Sequence, residues 1–350
     1  QSPLVHGSFY DVGLDNVNIT GNGSVGGLIG YGRYVAVDNS YATGTIKGYR
    51  TSVGGLIGDG YYSTVDNSYS SGTVTGLQDV GGLVGVGDFI TINSSYSAAN
   101  VSGDYDYAGG LVGYAGSARI ENSYATGDVN CNRGHVGGLI GGRHYFILNH
   151  TYATGDVTGA DRFTGGLVGY ASYAAAIDNS YATGSVSGTR ETGGLVGYLG
   201  YEATLDNSFA TGNVSGTNYV GGLVGYAFYC TIDNSYATGN VNGTLDVGGL
   251  VGYGYAAPID NAYWNNNSNN PDVCVGGGVP TSEDCTAIQD NESYFYDTAD
   301  TSPPYDVTRS DCDRWPCLAA FATAGVATAS ALPPGVSLGR GHHGGDGRLR

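Results

Sequence analysis

Apolar and polar positions recur along this chain at a fixed phase that fits no helix. From Gly26 to about Trp264 each unit reads GGLVGY, a variable loop, IDNSYATG, a short segment such as SVSG and a polar connector. The paired glycines that open the copies fall at Gly26, Gly54, Gly81, Gly109, Gly137, Gly165, Gly193, Gly221 and Gly248, a period of 28 residues with two intervals of 27. Leu56, Leu83, Leu111, Leu139, Leu167, Leu195, Leu223 and Leu250 form one apolar column. Ile177, Leu205, Ile232 and Ile259 extend a second, and Val157, Val186, Val214 and Val241 a third. Helix is excluded because several glycines per unit would each cost about 1 kcal/mol in a helix interior. A fixed period of this size marks a stacked repeat. Three apolar columns separated by glycine-bearing turns predict an all-β, parallel β-solenoid of about nine coils of 27–28 residues, with three short strands per coil and a rise of about 4.8 Å per coil.

The ends differ from the body. Residues 1–25 hold a worn copy, LDNVNITGNGSV, whose Leu14, Asp15 and Asn16 echo the later IDNSYATG, which is how a terminal cap of an array looks. The solenoid proper is expected over 26–264. Residues 265–317 turn rich in Cys, Pro, Asp and Asn, and with Tyr294, Phe295, Tyr296 and Trp315 they read as a disulfide-braced cap. Cys274 with Cys285 and Cys312 with Cys317 are close enough in sequence to form small loops, although connectivity is not readable from sequence. Cys131 and Cys230 lie several coils apart, too far to bond each other, so each is free, pairs with the tail or links two molecules. Residues 318–350 are apolar and then basic and Gly-rich. They are the candidate segment for head-to-tail association, in which the chain's partner is another copy of itself.

The combination of GGLVGY with IDNSYATG resembles the GLUG motif, over roughly Leu14 to Trp264. That repeat is found in bacterial and archaeal surface adhesins and in the non-catalytic parts of some IgA-directed metallopeptidases. The resemblance implies a right-handed β-solenoid in an extracellular, often adhesive protein, and it implies no catalytic residues.

Composition narrows the setting. The chain has 63 glycines, 30 tyrosines, no methionine and 13% charged residues. Its net charge of −18 argues against a nucleic-acid partner, which needs clustered Lys and Arg. No apolar run approaches the roughly 18 residues that span a bilayer. A start at Gln1 suits a chain whose signal peptide has been removed, and the cysteines suit an oxidising compartment. Extracellular or cell-surface localisation is therefore expected. Sequons stand at Asn18, Asn22, Asn93, Asn100, Asn149, Asn213, Asn242, Asn266 and Asn291, each an acceptor for N-linked glycan if the chain meets the machinery.

Candidate chemistry is sparse. Asp38, Asp66, Glu121, Asp178, Asp206, Asp233 and Asp260 share one phase, interrupted by Asn93 and Asn149. Stacked carboxylates either hold a line of weak Ca²⁺ sites, with Asp178, Asp206 and Asp233 the candidates, or set the corner by bonding their own backbone. The absence of the Gly-Gly-X-Gly-X-Asp nonapeptide favours the second reading, so no cofactor is expected. Asn39, Asn67, Asn122, Asn179, Asn207, Asn234 and Asn261 then read as a turn ladder. Tyr41, Tyr69, Tyr96, Tyr124, Tyr152, Tyr181, Phe209, Tyr236 and Tyr263 predict a structural aromatic ladder. A second row, Tyr114, Tyr170, Tyr198, Tyr226 and Tyr253, with further loop tyrosines, offers a binding face for sugar rings or a partner protein. No His-Glu-X-X-His motif occurs, and the histidines lack ligand-like spacing. The expected function is a non-catalytic extracellular structural glycoprotein, an adhesin stalk or filament subunit. The alternatives are a carbohydrate-binding module and, behind it, a β-helix polysaccharide lyase or hydrolase.

Overall fold

The computed structural model describes residues 7–267 and 270–288. These lie within the first of two compact units, Gln1–Pro316; the second, Cys317–Arg350, falls outside them, and so do His6, Asn291, Cys312 and the whole tail. The described residues form a parallel β-solenoid without helix. One mid-array coil contributes Arg162–Gly165, Val168–Ser172, Ala176–Asp178, Tyr181–Ala182 and Val186–Ser187. Each pairs with its own copy one coil on: Thr164 with Thr192, Tyr170 with Tyr198, Ile177 with Leu205, Tyr181 with Phe209 and Val186 with Val214.

Three sheets result. The paired-glycine segments make a short sheet of nine strands, the Val-Gly-Tyr segments a tyrosine sheet of ten, and the rest of each unit a long sheet of 25. The three expected apolar columns do not each have a sheet. Leu167 lies at the bend between the short and tyrosine sheets, and Ile177 and Val186 both lie in the long sheet, which turns cut into several strands, so this coil has five strands where three were expected. Coils continue past Trp264. Val275–Val279 pairs with Val251–Tyr255 as the tenth strand of the tyrosine sheet, and Ser282–Ile288 pairs with Pro258–Asn265. The Cys274–Cys285 disulfide braces this last coil.

The interior is not one tube. Leu167 and Ile177, with their columns, pack in a larger core, whereas Val157, Val186, Val214 and Val241 pack in a smaller one with Val53, Val80, Val136 and Val220. Small residues pinch the wall between them. A Cβ on Gly166 would lie 2.1 Å from the Gly194 carbonyl oxygen and 2.9 Å from the Ala182 Cβ, so the second glycine of GGLVGY and the alanine of YATG are one contact seen from two sides. At the last such position Trp264 replaces the alanine. Its ring lies on Gly249, and its Nε1 donates to the Pro271 carbonyl at 3.2 Å.

Backbone groups at the corner after IDN are completed by side chains. Asn39, Asn67, Asn122, Asn179, Asn207, Asn234 and Asn261 all have φ between 46° and 50°, the left-handed region that asparagine tolerates well. The next residue is a buried serine in all but the last, where Ala262 follows Asn261. The Ser180 N–H donates to Ser208 Oγ at 3.2 Å and the Ser208 N–H to Ser235 Oγ at 3.2 Å, while each hydroxyl donates to the carbonyl two residues back, as Ser208 does to Asp206 at 2.6 Å. Ser40, Ser68, Ser95 and Ser123 repeat this pattern, so a hydroxyl ladder runs through the corner. Beside it the expected aromatic ladder is present. Eight rings from Tyr41 to Tyr236 stack with centroids 4.6–5.0 Å apart and planes within 8°.

A second left-handed corner, between the connector and the short sheet, holds Asp79 at φ 50°. Burial raises its carboxyl to about 6, with Asp106 and Asp59 pushing the same way against Arg143.

Two measurements check this account. In a denaturant series, Val186→Asp, at 1% exposure, should cost several kcal/mol because it buries an unpaired charge, while Thr189→Asp on the exposed connector should change little. In the same series Ser208→Ala should lose about 1–3 kcal/mol, whereas Thr192→Val should gain stability, because Thr192 Oγ1 is buried with no partner. For Asp79, the folded chain holds the proton more tightly than the unfolded chain. The cost of ionisation is therefore absent below about pH 4, grows as pH rises and is complete above about pH 6. Asp79→Asn should flatten that fall and add about 2–3 kcal/mol at pH 7, read from melts across pH 4–8.

Candidate functional site

The two outward-facing sides of the coil stack carry different chemistry. On the tyrosine sheet, Tyr170, Tyr198, Tyr226 and Tyr253 form a stacked row with centroid separations of 4.8, 5.6 and 5.0 Å. In-register pairing forces this, because each tyrosine sits directly over its copy. Rings from the adjoining connector meet the row edge-on: Tyr107 against Tyr114, Phe163 against Tyr198, and Tyr219 against both Tyr226 and Tyr253. Burial raises the hydroxyls of Tyr114, Tyr170, Tyr198 and Tyr226, so these rings stay neutral and half-covered. On the far side of the row a corner series stands out into solvent, with Tyr173, Tyr201 and Tyr229 exposed at 43, 41 and 50%. The five tyrosines of the predicted face thus lie in one row, and the loop tyrosines line its rim.

Two features of this face carried no sequence signal. Glu191 occupies the connector position that Phe163 and Tyr219 fill in neighbouring coils, and only 3% of it is exposed. Arg162 holds it through two hydrogen bonds of 3.1 and 3.3 Å and also covers the Phe163 ring at 4.7 Å. At Gly142 the tyrosine row lacks a side chain, and His135 leans into the gap, stacked on Tyr170 at 5.1 Å. Its burial, helped by Arg162 and Arg143, lowers its pKa to about 4 and leaves it neutral near pH 7.

The long sheet carries the acidic corner. Asn207 Nδ2 donates to Asp178 Oδ1 at 2.9 Å, and Asn179 Nδ2 donates to Asp178 Oδ2 at 2.9 Å. Asn234 Nδ2 donates to Asp206 Oδ1 at 2.9 Å, and the Asn234 backbone N–H donates to Asp233 Oδ1 at 2.8 Å. Asp178 and Asp206 thus accept from asparagine amides of the corner, and Asp233 accepts from the backbone N–H of the asparagine that follows it. Among the described residues the one trio of metal-type ligand atoms within 4.8 Å is Cys274, Glu283 and Cys285, and its two sulfurs are joined in the disulfide. Cys131 and Cys230 are both free and buried, and burial raises their thiols to about 11 and about 12.

The sequons divide by exposure. Asn93 Oδ1 and Asn149 Oδ1 accept from Asn122 and Asn179, so both amides belong to the corner ladder, and Asn266 is half-buried. Asn18, Asn22, Asn100, Asn213 and Asn242 are exposed. None of the eight described sequons falls in the short sheet or the tyrosine sheet.

No curated protein and no solved structure matches the chain. The model of the GLUG motif matches residues 49–75, 104–130, 164–187, 188–215 and 216–242, five segments within the run of regular coils. The chain carries five GLUG repeats, set in a parallel β-solenoid.

Proposed function

We propose that this chain is a non-catalytic extracellular structural glycoprotein, an adhesin stalk or the subunit of a surface filament, that makes its contacts through the aromatic face of the tyrosine sheet. The observation that supports this reading is the division of the coil stack. Exposed rings line one side, and every described sequon lies off that side. Glycan on Asn18, Asn100, Asn213 or Asn242 would leave the rings bare. Flat, amphipathic tyrosine surface suits contact with sugars or with another protein, and so many exposed rings in one strip exceed the scatter of single surface aromatics. A carbohydrate-binding module, the second reading, draws on the same rows. Replacing Tyr173, Tyr201 and Tyr229 together by Ser should lower adhesion to a glycan-coated surface at least about tenfold, while Tyr49→Ser, an exposed ring just past the long-sheet strand Tyr41–Gly48, should leave it unchanged. Serine already occupies this left-handed row at Ser117, so the fold should survive. Equal adhesion by the triple variant and the parent would remove the aromatic face from the account.

Filament formation is supported by the N-terminal edge. Val25–Gly26 and Ile29–Arg33 open the short and tyrosine sheets, and among the described residues no strand pairs on their outer side. Unpaired strand edges invite pairing with another chain, and head-to-tail contacts that do not close propagate. Deleting 318–350 should abolish concentration-dependent assembly in sedimentation. Unchanged assembly would mean that the tail takes no part.

A further inference from the structure

The corner row of the aromatic face is interrupted once. Tyr62 and Phe89 stack at 4.5 Å on one side of the break and Tyr173 and Tyr201 at 5.0 Å on the other, but in the coil between Phe89 and Tyr145 the residue at this phase is Ser117. Phe89, Ser117 and Tyr145 share the same left-handed backbone, with φ of 53°, 50° and 57°, so an aromatic side chain would fit the conformation that the serine adopts. Phe89 and Tyr145 are 45 and 59% exposed and stand two coils apart, roughly 10 Å at the spacing of paired strands, which leaves the thickness of one more flat ring between them.

Polar groups of both kinds gather beside this break. Gly116, next to Ser117, has no side chain, and Asp88 Oδ1 occupies the room, 1.9 Å from where a Cβ would be. Arg143 stands at a phase where Ala115 and Ala171 point into the core, yet its side chain lies outside. Gly142 and Arg143 carry φ of 155° and 148°, and this unusual backbone delivers the guanidinium over the Tyr114 ring at 5.2 Å, where Nη1 donates to Tyr107 Oη at 3.2 Å. Among the described residues the ion pairs within 4.0 Å involve Arg119, Arg162 and Arg190, so the remaining donors of Arg143 face no carboxylate at that range. Strained backbone of this kind persists where something holds it, and it clusters at ligand sites.

We propose that the interruption at Ser117 is a subsite for one pyranose ring of a neutral saccharide, stacked between Phe89 and Tyr145, with Asp88 accepting from and Arg143 donating to its hydroxyls. The proposal rests on the reading of the tyrosine sheet as the contact face and deepens it. A sugar ring offers an apolar face for stacking and a rim of hydroxyls that needs both an acceptor and a donor, and this break supplies all three. An aromatic side chain from a protein would leave Asp88 and Arg143 unused. A polyanionic saccharide would meet Asp88 and a body of net charge −18.

The test is binding of the full chain to neutral gluco-, manno- and galacto-hexasaccharides by calorimetry, with oligogalacturonate as the acidic comparison. Ser117→Tyr completes the row and should reduce neutral-sugar affinity at least about tenfold with melting unchanged, and Arg143→Gln should reduce it by a similar factor. Retained affinity in Ser117→Tyr, with affinity lost in the variant carrying serine at 173, 201 and 229, would overturn the subsite and leave the wider face standing. Preference for oligogalacturonate, or binding only to a protein partner, would overturn the subsite as well. Affinity unchanged in both variants would remove the subsite and the face together.

Discussion

In-register parallel pairing is the constraint from which the rest follows. Each coil hydrogen-bonds to the next residue for residue, so almost every side chain has a copy of itself as neighbour about 4.8 Å away. Residue types that tolerate their own company at that distance are selected. Aliphatic residues fill the two cores, rings stack, and serine hydroxyls relay hydrogen bonds along the corner. Charge is the type that does not tolerate it. At several coils the asparagine after the aspartate resolves this by donating its amide to the carboxylate of the coil before, as Asn67 does to Asp38, Asn207 to Asp178 and Asn234 to Asp206, each at 2.9 Å. The same asparagine takes the left-handed conformation that turns the chain, so one residue serves both needs.

Much of this was legible because period is what a sequence shows most plainly. The fold class, the parallel stacking, the Tyr41 to Tyr236 ladder, the asparagine corners and a Cys274–Cys285 loop all follow from residues recurring at one phase or lying close in sequence. Recurrence does not reveal which columns share a core. Val186 and Ile177 are both buried, and only the contact of Gly166 with Ala182 shows that a wall separates them. The serine ladder was overlooked for a related reason. A small polar residue in a turn ordinarily signals exposure, whereas Ser180 and Ser208 are buried because their hydroxyls complete backbone groups that the corner leaves unpaired. The tenth coil was hidden because Val275–Val279 and Ser282–Ile288 keep the pairing without keeping the motif.

Departures from the repeat carry a different kind of information. A position whose neighbours are its own copies can change only if something compensates. Glu191 is held by Arg162, and Trp264 is seated on Gly249. Arg143 leaves the core by an unusual backbone, and three residues on Phe146 places a large buried ring where adjacent coils have Ala118 and Ala175. Thr164 and Thr192 have no such compensation; their buried hydroxyls lack partners, and nothing else in the structure explains them.

The distribution of charge and ring then sets what each side of the stack can do. Acidic residues outnumber basic ones 31 to 13, and on the long sheet the corner carboxylates are tied to amides, so that side presents a hydrated, negatively charged surface with the exposed sequons beside it. Such a surface resists close approach by other acidic molecules, copies of itself included. On the tyrosine sheet most corners are turned by aromatic residues at φ near 50°, with Ser117 and Ala256 at the others, so the same backbone need is met without a charge to balance. The choice of residue at a left-handed corner therefore decides which side repels and which side is able to touch.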